Sequence, residues 1–278
     1  MRRRPSVVLA ATALGLALTG CAASEDAEAT RSPATLPADA AHIHGIGRNP
    51  ADGLLYLGTH AGLFVLDGEQ VTRVGDAATD LMGFTVAGDD HFLSSGHPGP
   101  GDDLPNPLGL IESRDGGLTW QPVSLTGQTD FHTLSATGDT VVGFDGALRT
   151  SSDGGRTWMD GDDVQPAAVA VSPDGATVLA TTERGPVRSS DGGQSFEAVD
   201  GAPVVVFLDW ADTSTVWAVD PAGTLFVSTD AGGTWEQRAA TGARPQAITA
   251  DDIGVTVATH EGVVTSTDGT TVQVLATT

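Results

Sequence analysis

The feature that constrains this chain most is an internal repeat with a period of 38 or 39 residues. Four segments share the pattern Ser-x-Asp-Gly/Ala-Gly-x-Thr/Ser-Trp/Phe, at 113–120, 151–158, 189–196 and 228–235, and a fifth at 266–273 keeps its first half. The aspartates of the five copies are separated by 38, 38, 39 and 38 residues, and they are Asp115, Asp153, Asp191, Asp230 and Asp268. Regular repetition at this length is typical of folds built from one repeated supersecondary unit.

Each copy is typical of a tight turn between two strands. The aspartate can accept backbone N–H groups in the turn, glycine permits positive φ, and the aromatic residue begins a strand that packs between sheets. A degenerate sixth unit lies at 62–68, and a Pro/Gly-rich insertion at 96–109 accounts for its longer distance from Asp115. The sequence therefore predicts an all-β fold, a six-bladed β-propeller over 42–278, closed by packing between its first and last blades without a swapped strand.

The repeat resembles the Asp-box, or BNR, repeat of sialidases, sortilin-type receptors and photosystem assembly factors. This resemblance implies that each turn joins strands 3 and 4 of a blade, opposite the ligand face, and that Asp115, Asp153, Asp191 and Asp230 are structural. The segments His-Ile-His-Gly (42–45), Gly-His-Pro (96–98) and Asp-Phe-His (130–132) are similar to a family of bacterial lipoproteins commonly labelled glycosyl hydrolase or exo-α-sialidase.

The first 41 residues are predicted to lie outside the propeller. Three arginines at 2–4 precede an apolar run at 7–18, and the following Leu-Thr-Gly-Cys resembles the lipobox of bacterial lipoproteins. We expect 1–20 to be a signal peptide, Cys21 to be lipidated, and 21–41 to form a flexible tether because the segment has almost no bulky apolar residue. The protein would then be extracytoplasmic and anchored to the cell membrane by lipid. The alternative is an ordinary secretory signal cleaved nearby.

The chain is strongly acidic, with a formal net charge of −23 and no lysine. Such a charge repels nucleic acid, so no nucleic-acid partner is expected. It favours cationic partners, including metal ions, although a solvated acidic surface explains the same composition.

Aligning the six units brings titratable residues to one end of the predicted propeller. The second strands end at His60, His97, Asp145, Glu183, Asp220 and His260, while His42, His44 and His132 stand at the start of innermost strands. Because consecutive strands are antiparallel, both sets should meet at one face. Neutral imidazoles suit Cu(II) or Zn(II), and the favoured ligands are His42 or His44 with His97 and His132. The alternatives are histidines that hydrogen-bond to loop backbone, or proton-transfer catalysis.

The residues argue against sialidase chemistry. That activity would require an arginine triad and a late tyrosine nucleophile, whereas Tyr56 is the only tyrosine and only Arg184 and Arg244 lie near the ligand-side loops. Another glycosidase would need two carboxylates about 5 to 9 Å apart, for which the candidates are Asp145, Glu183 and Asp220. The sequence favours a non-catalytic module that binds a metal ion, glycan or protein at the propeller mouth, with a glycoside hydrolase as the alternative.

Overall fold

The computed structural model describes residues 32–278. The predicted signal peptide and the lipidation site at Cys21 lie outside the described residues. Within 32–278, no helix has the length and apolar character needed to cross a membrane.

Across 32–278, the regular structure is β apart from one 3-10 helix, Ala38–Ala40, and the strands form six sheets. Strand β1 (Ala34–Thr35) precedes the blades. The first three blades are β2 (Ile43–Arg48), β3 (Leu55–Thr59), β4 (Gly62–Asp67) and β5 (Gln70–Arg73); β6 (Asp80–Gly88), β7 (His91–His97), β8 (Leu110–Ser113) and β9 (Gln121–Ser124); and β10 (Thr133–Thr137), β11 (Thr140–Phe144), β12 (Leu148–Ser151) and β13 (Met159–Asp160).

The last three blades follow the same plan. They are β14 (Val169–Val171), β15 (Val178–Thr182), β16 (Gly185–Ser189) and β17 (Glu197–Ala198); β18 (Phe207–Trp210), β19 (Val216–Val219), β20 (Thr224–Ser228) and β21 (Glu236–Ala240); and β22 (Pro245–Asp251), β23 (Gly254–Thr259), β24 (Gly262–Ser266) and β25 (Gln273–Thr277). Each blade is a meander of four antiparallel strands in sequence order. The predicted six-bladed, all-β propeller is confirmed.

The hydrophobic core is divided among the interfaces between neighbouring blades. The buried residues of the described part of the chain form six clusters, and each combines residues from two adjacent sheets. One cluster joins Leu57 and Phe64 of the first blade to Ala247 and Ala258 of the last. The ring is therefore closed by packing of the same kind that joins every other pair of blades.

The segment before the first blade adds to this closure. Strand β1 pairs in parallel with β25, and the Leu36 N–H donates to the Thr277 carbonyl over 2.8 Å. Ala34, Leu36 and Ala40 are 1%, 4% and 0% exposed within the cluster between the first and last blades. Residues 34–40 are thus folded, whereas a flexible tether was predicted up to residue 41. Strand β1 adds a fifth strand to the edge of the last blade, which already has four strands of its own.

Side chains also tie the inner parts of neighbouring blades together. In each case a polar side chain of one blade bonds to the next blade. The pairs are Asn49 with Asp90, Ser95 Oγ with Phe131 N, Thr133 Oγ1 with Val169 N, Thr181 Oγ1 with the Val206 carbonyl, Asp209 Oδ2 with Ala250 N, and Gln246 Oε1 with Ile43 N. The last pair closes the ring and lies beside the histidines described below.

The repeated aspartates hold the turns between the third and fourth strands. Asp153 Oδ1 accepts from the Thr157 N–H over 2.9 Å and its Oδ2 accepts from the Thr157 hydroxyl over 2.6 Å. These bonds, the hydroxyl first, lower the pKa of Asp153 to about 2. The same carboxylate–hydroxyl contact recurs at Asp115, Asp191 and Asp230. The turns lie at the opposite end of each blade from the turns between second and third strands, because successive strands are antiparallel.

Candidate functional site

The titratable residues predicted to share one face do follow the second strands. His60, Asp145, Glu183, Asp220 and His260 stand directly after the second strands of their blades, and His97 ends β7. The innermost strands begin at the same end of each blade. His44 and His132 line the end of a central channel of about 390 Å³, and we call this end the channel mouth.

Three histidines of the first blade form a compact group at the channel mouth. His42, His44 and His60 each offer a ring nitrogen, and these nitrogens lie within 4.8 Å of one another. His44 Nε2 and His60 Nε2 are 3.1 Å apart. The His42 and His60 rings are stacked at a centroid distance of 5.0 Å. Because His42 and His60 are exposed and His44 is half-buried, the group is open to solvent.

A β-bulge sets the direction of His44. Ile43 pairs with Thr59 and Gly45 pairs with Gly58, so His44 is the extra residue in β2. Bulges redirect side chains and are common beside functional sites. Gly45 makes the arrangement possible, because a Cβ there would lie 2.8 Å from the Phe84 carbonyl oxygen of the next blade.

Asp80 orients His60 from the second blade. His60 Nδ1 is 2.9 Å from Asp80 Oδ1. A carboxylate accepts this bond, so Nδ1 carries the hydrogen and the Nε2 lone pair of the neutral ring faces His44. This is the arrangement by which carboxylates orient histidine ligands of metals.

Burial and nearby imidazoles favour the uncharged forms of His42, which precedes β2, and of His44, which lies in β2, near neutral pH. Burial, followed by the nearby imidazoles of His60, His42 and His132, lowers the pKa of His44 to about 3. Burial, then His60 and His260, also lowers the pKa of His42. Both rings therefore present lone pairs that a cation can use.

The last blade approaches the same group through Gln246 and His260. Gln246 is the extra residue of a second bulge, since Pro245 pairs with Thr259 and Ala247 with Ala258. Its amide nitrogen lies 3.4 Å from His42 Nδ1 and 3.3 Å from His260 Nδ1. The amide thus positions His42 and leaves His260 at the edge, with its ring centroid 6.4 Å from that of His42.

His97 and His132 form a second group around Asp130. His97 Nε2 and His132 Nε2 lie 3.2 and 3.7 Å from Asp130 Oδ2. The sequence favoured His42 or His44, together with His97 and His132, as metal ligands. The fold does not bring that set of ligands together. A register shift between Leu81 and Phe84 interrupts the inner strand of the second blade. The sequence pattern did not predict this irregularity.

The carboxylates proposed for a glycosidase are largely engaged in turns. Asp145 Oδ2 lies 3.3 Å from Arg149 Nε, and its Oδ1 accepts from Ala147 N–H. Asp220 Oδ1 accepts from Ala222 N–H and from Thr224 N–H, each over 2.8 Å. Glu183 is exposed in the turn after β15. The contacts of Asp145 and Asp220 explain these two carboxylates as turn-stabilising groups.

The sequence did not indicate that Asp80, Gln246 and Asn106 lie at the channel mouth, and it suggested no role for Asp130. A signal for Asp80 and Asp130 is visible in the sequence, since Thr-Asp occurs at 79–80, where β6 begins, and again at 129–130, shortly before β10. No motif marks Gln246, because its position depends on the bulge.

Comparisons with known proteins agree with this architecture. No model of a known protein family matches the chain, and no curated protein matches it. The gluconolactonase XC5397 of Xanthomonas campestris is similar in structure, with a TM-score of 0.62 and 13% identity over 80% of this chain and 84% of that chain. A GH74 enzyme of Niastella koreensis has a TM-score of 0.57 and 14% identity over 86% of this chain and 53% of that one.

A third similar structure is the extracellular domain of a one component system from B. thetaiotaomicron. It has a TM-score of 0.56 and 17% identity over 87% of this chain and 34% of that one. The chain thus spans about half of the GH74 enzyme and a third of this domain. The protein is a β-propeller whose structural neighbours include enzymes and part of a signalling protein, and such similarity defines the fold alone.

Proposed function

We propose that this protein is a binding module that holds one transition-metal ion, Cu(II) or Zn(II), at His42, His44 and His60. The observation that carries the proposal is the 3.1 Å separation of His44 Nε2 and His60 Nε2, with His60 Nδ1 held by Asp80. Ligands bonded to zinc at about 2.0–2.1 Å in a tetrahedron lie about 3.3–3.4 Å apart. A small rotation of the two rings would place a metal between them.

The chemistry of the donor set supports this class of ion. Three imidazole nitrogens suit zinc and copper, whereas Mg²⁺ and Ca²⁺ prefer oxygen ligands. The low pKa of His44, about 3, means that a proton does not compete for its nitrogen near neutral pH. The net charge of −23 attracts cations to the surface from which the exposed rings are reached.

Metal binding is tested on the full chain purified without a histidine tag. Isothermal titration with Zn²⁺ and with Cu²⁺, followed by metal analysis after gel filtration, should give stoichiometric binding. His44→Ala should abolish binding at this group. His91→Ala is the matched control, because His91 contacts Glu112 away from the channel mouth and should leave binding unchanged. Wild-type protein that retains no metal at all would exclude the proposal.

The same proposal places the module outside the cytoplasm, tethered through a lipid on Cys21. Its support is the lipobox-like Leu-Thr-Gly-Cys at 18–21 and the fact that Cys21 is the only cysteine. Cys21→Ser should release the protein from the membrane fraction and prevent labelling with radioactive palmitate. A variant that stays membrane-bound would show that the anchor is a different one.

A further inference from the structure

The innermost strands of the six blades are sheet edges that face the central channel. Such an edge presents N–H groups that have no partner within the sheet, and side chains of the preceding blade accept some of them. Ser135 Oγ accepts from the Val171 N–H over 3.0 Å, and Asp209 Oδ2 accepts from the Ala250 N–H over 2.9 Å. Asp209 therefore lies on the channel wall and makes a bond for which a neutral hydroxyl suffices elsewhere in the ring.

The chain does not compensate the negative charge of Asp209. Its Oδ1 accepts from the Trp210 N–H over 2.9 Å, so both oxygens are bonded to uncharged main-chain groups. Within 32–278, none of the ion pairs involves Asp209. Burial raises the pKa of Asp209 to about 6, which shows that its surroundings disfavour the charge. A cation beside the carboxylate would offset that cost.

The other charged group on the channel wall is already paired. Besides the two histidines at the channel mouth, Arg48 and Asp209 are the titratable residues among the described ones that line the channel. Arg48 Nε donates to Asp251 Oδ2, and Arg48 Nη1 donates to the Gly53 carbonyl over 2.9 Å. Arg48 therefore does not neutralise Asp209, and the channel keeps one unpaired negative charge.

The channel has the size and the lining of a small-molecule pocket. Its volume of about 390 Å³ lies within the range of about 300–1,000 Å³ that is usual for ligand sites. Val86, Val171, Phe207 and Ile248 line it together with hydroxyl-bearing residues such as Ser135. Such a pocket suits a ligand that has an apolar body and a polar group that fixes its orientation.

A primary ammonium group matches the acceptor positions that Asp209 has left. A carboxylate offers about four lone-pair positions, and main-chain N–H groups use one on each oxygen. An ammonium group has three N–H donors and forms charge-assisted hydrogen bonds with a carboxylate. Ca²⁺ does not fit equally well, because it takes about 6–8 oxygen ligands and Asp209 is the one carboxylate among the described residues that line the channel.

We propose that the central channel binds a small organic cation, with a primary ammonium group against Asp209 and an apolar body along the channel. Ala250, which Asp209 contacts, is four residues beyond Gln246 in β22, and this corresponds to about 13 Å along a strand. The ammonium site is thus separate from the histidines at the channel mouth, and it does not depend on a bound metal.

The test uses the metal-free full chain with n-butylammonium chloride as the probe. In a carbon-13 NMR titration, butylammonium should lower the pKa of Asp209, because a nearby cation favours the charged carboxylate. The neutral probe 1-butanol, and potassium chloride at the same concentration, should leave this pKa unchanged. Asp209→Asn should weaken butylammonium binding, measured by saturation-transfer difference NMR, by about 10–100-fold. Asp67→Asn is the matched control, because Asp67 is exposed at the end of β4 and its loss should leave binding unchanged.

The outcomes separate this proposal from the metal site. His44→Ala should lose Zn²⁺ and still bind butylammonium as wild type does. A wild-type Asp209 pKa that butylammonium leaves unchanged, or that 1-butanol or potassium chloride lowers equally, would overturn the ammonium site, and this titration needs no variant. Equal binding of butylammonium by wild type and by Asp209→Asn, with thermal unfolding by circular dichroism showing both to be folded, would overturn it as well.

Discussion

Leu36→Ala provides a direct test of whether the segment before the first blade is part of the fold. Leu36 is 4% exposed and packs in the cluster between the first and last blades. The neighbouring main chain is held by the bond from Leu36 N–H to the Thr277 carbonyl, which the substitution keeps. Its effect should therefore report side-chain packing alone.

The expected loss follows from the burial of this side chain. Burying a leucine side chain contributes about 1.5–3 kcal/mol, and Leu→Ala changes in protein cores cost about 2–5 kcal/mol because a cavity is left. The two ranges overlap at about 2–3 kcal/mol, which is the loss of stability that we expect for Leu36→Ala. For a domain of this size, each kcal/mol lowers the melting temperature by about 2–4 °C, which gives a decrease of about 4–12 °C.

The assay is guanidinium unfolding followed by tryptophan fluorescence and by circular dichroism, with the two transitions required to coincide. Leu104→Ala is the control, because Leu104 is 55% exposed and its loss should change the free energy of unfolding by less than about 0.5 kcal/mol. If Leu36→Ala is as stable as this control, the segment does not contribute to closing the ring and the reasoning is wrong.

Three further predictions concern single carboxylates. Asp80→Asn should weaken Zn²⁺ binding at the His60 group by about 10–100-fold, because the orienting acceptor is lost; unchanged affinity by titration would contradict this role. Asp153 has a pKa of about 2 when folded, so its contribution to stability is present above pH 4 and is lost as the pH falls toward 2. In acid unfolding, the free energy of unfolding of Asp153→Asn should therefore fall less steeply than that of wild type between pH 4 and pH 2. Parallel pH profiles of wild type and variant would contradict this prediction. Burial raises the pKa of Asp209 to about 6, so its contribution is present below pH 4 and is lost as the pH rises through 6. Asp209→Asn should remove this loss of stability at higher pH, and a carbon-13 NMR titration midpoint of Asp209 near 4 would disprove the raised pKa.

The repeat determined the blade count because it is a local pattern. Each turn is stabilised by contacts within a few residues, as in Asp153 with Thr157, and such contacts are written in the sequence next to one another. Alternating apolar residues likewise predicted the strands, since alternation follows from the pleat of a single strand. Strand direction alone also predicts which end of the blades carries the histidines.

Only the tertiary structure decided which side chains meet at the channel mouth. The bulges in β2 and β22 turn His44 and Gln246 toward the first group, and a bulge depends on how two strands and the neighbouring blade fit together. Leu36 packs between the first and last blades, beside the pairing of β1 with β25, and this contact exists only where the ring closes. Distances between residues far apart in the chain, such as Ile43 and Gln246, are set by that closure, and no local pattern encodes them.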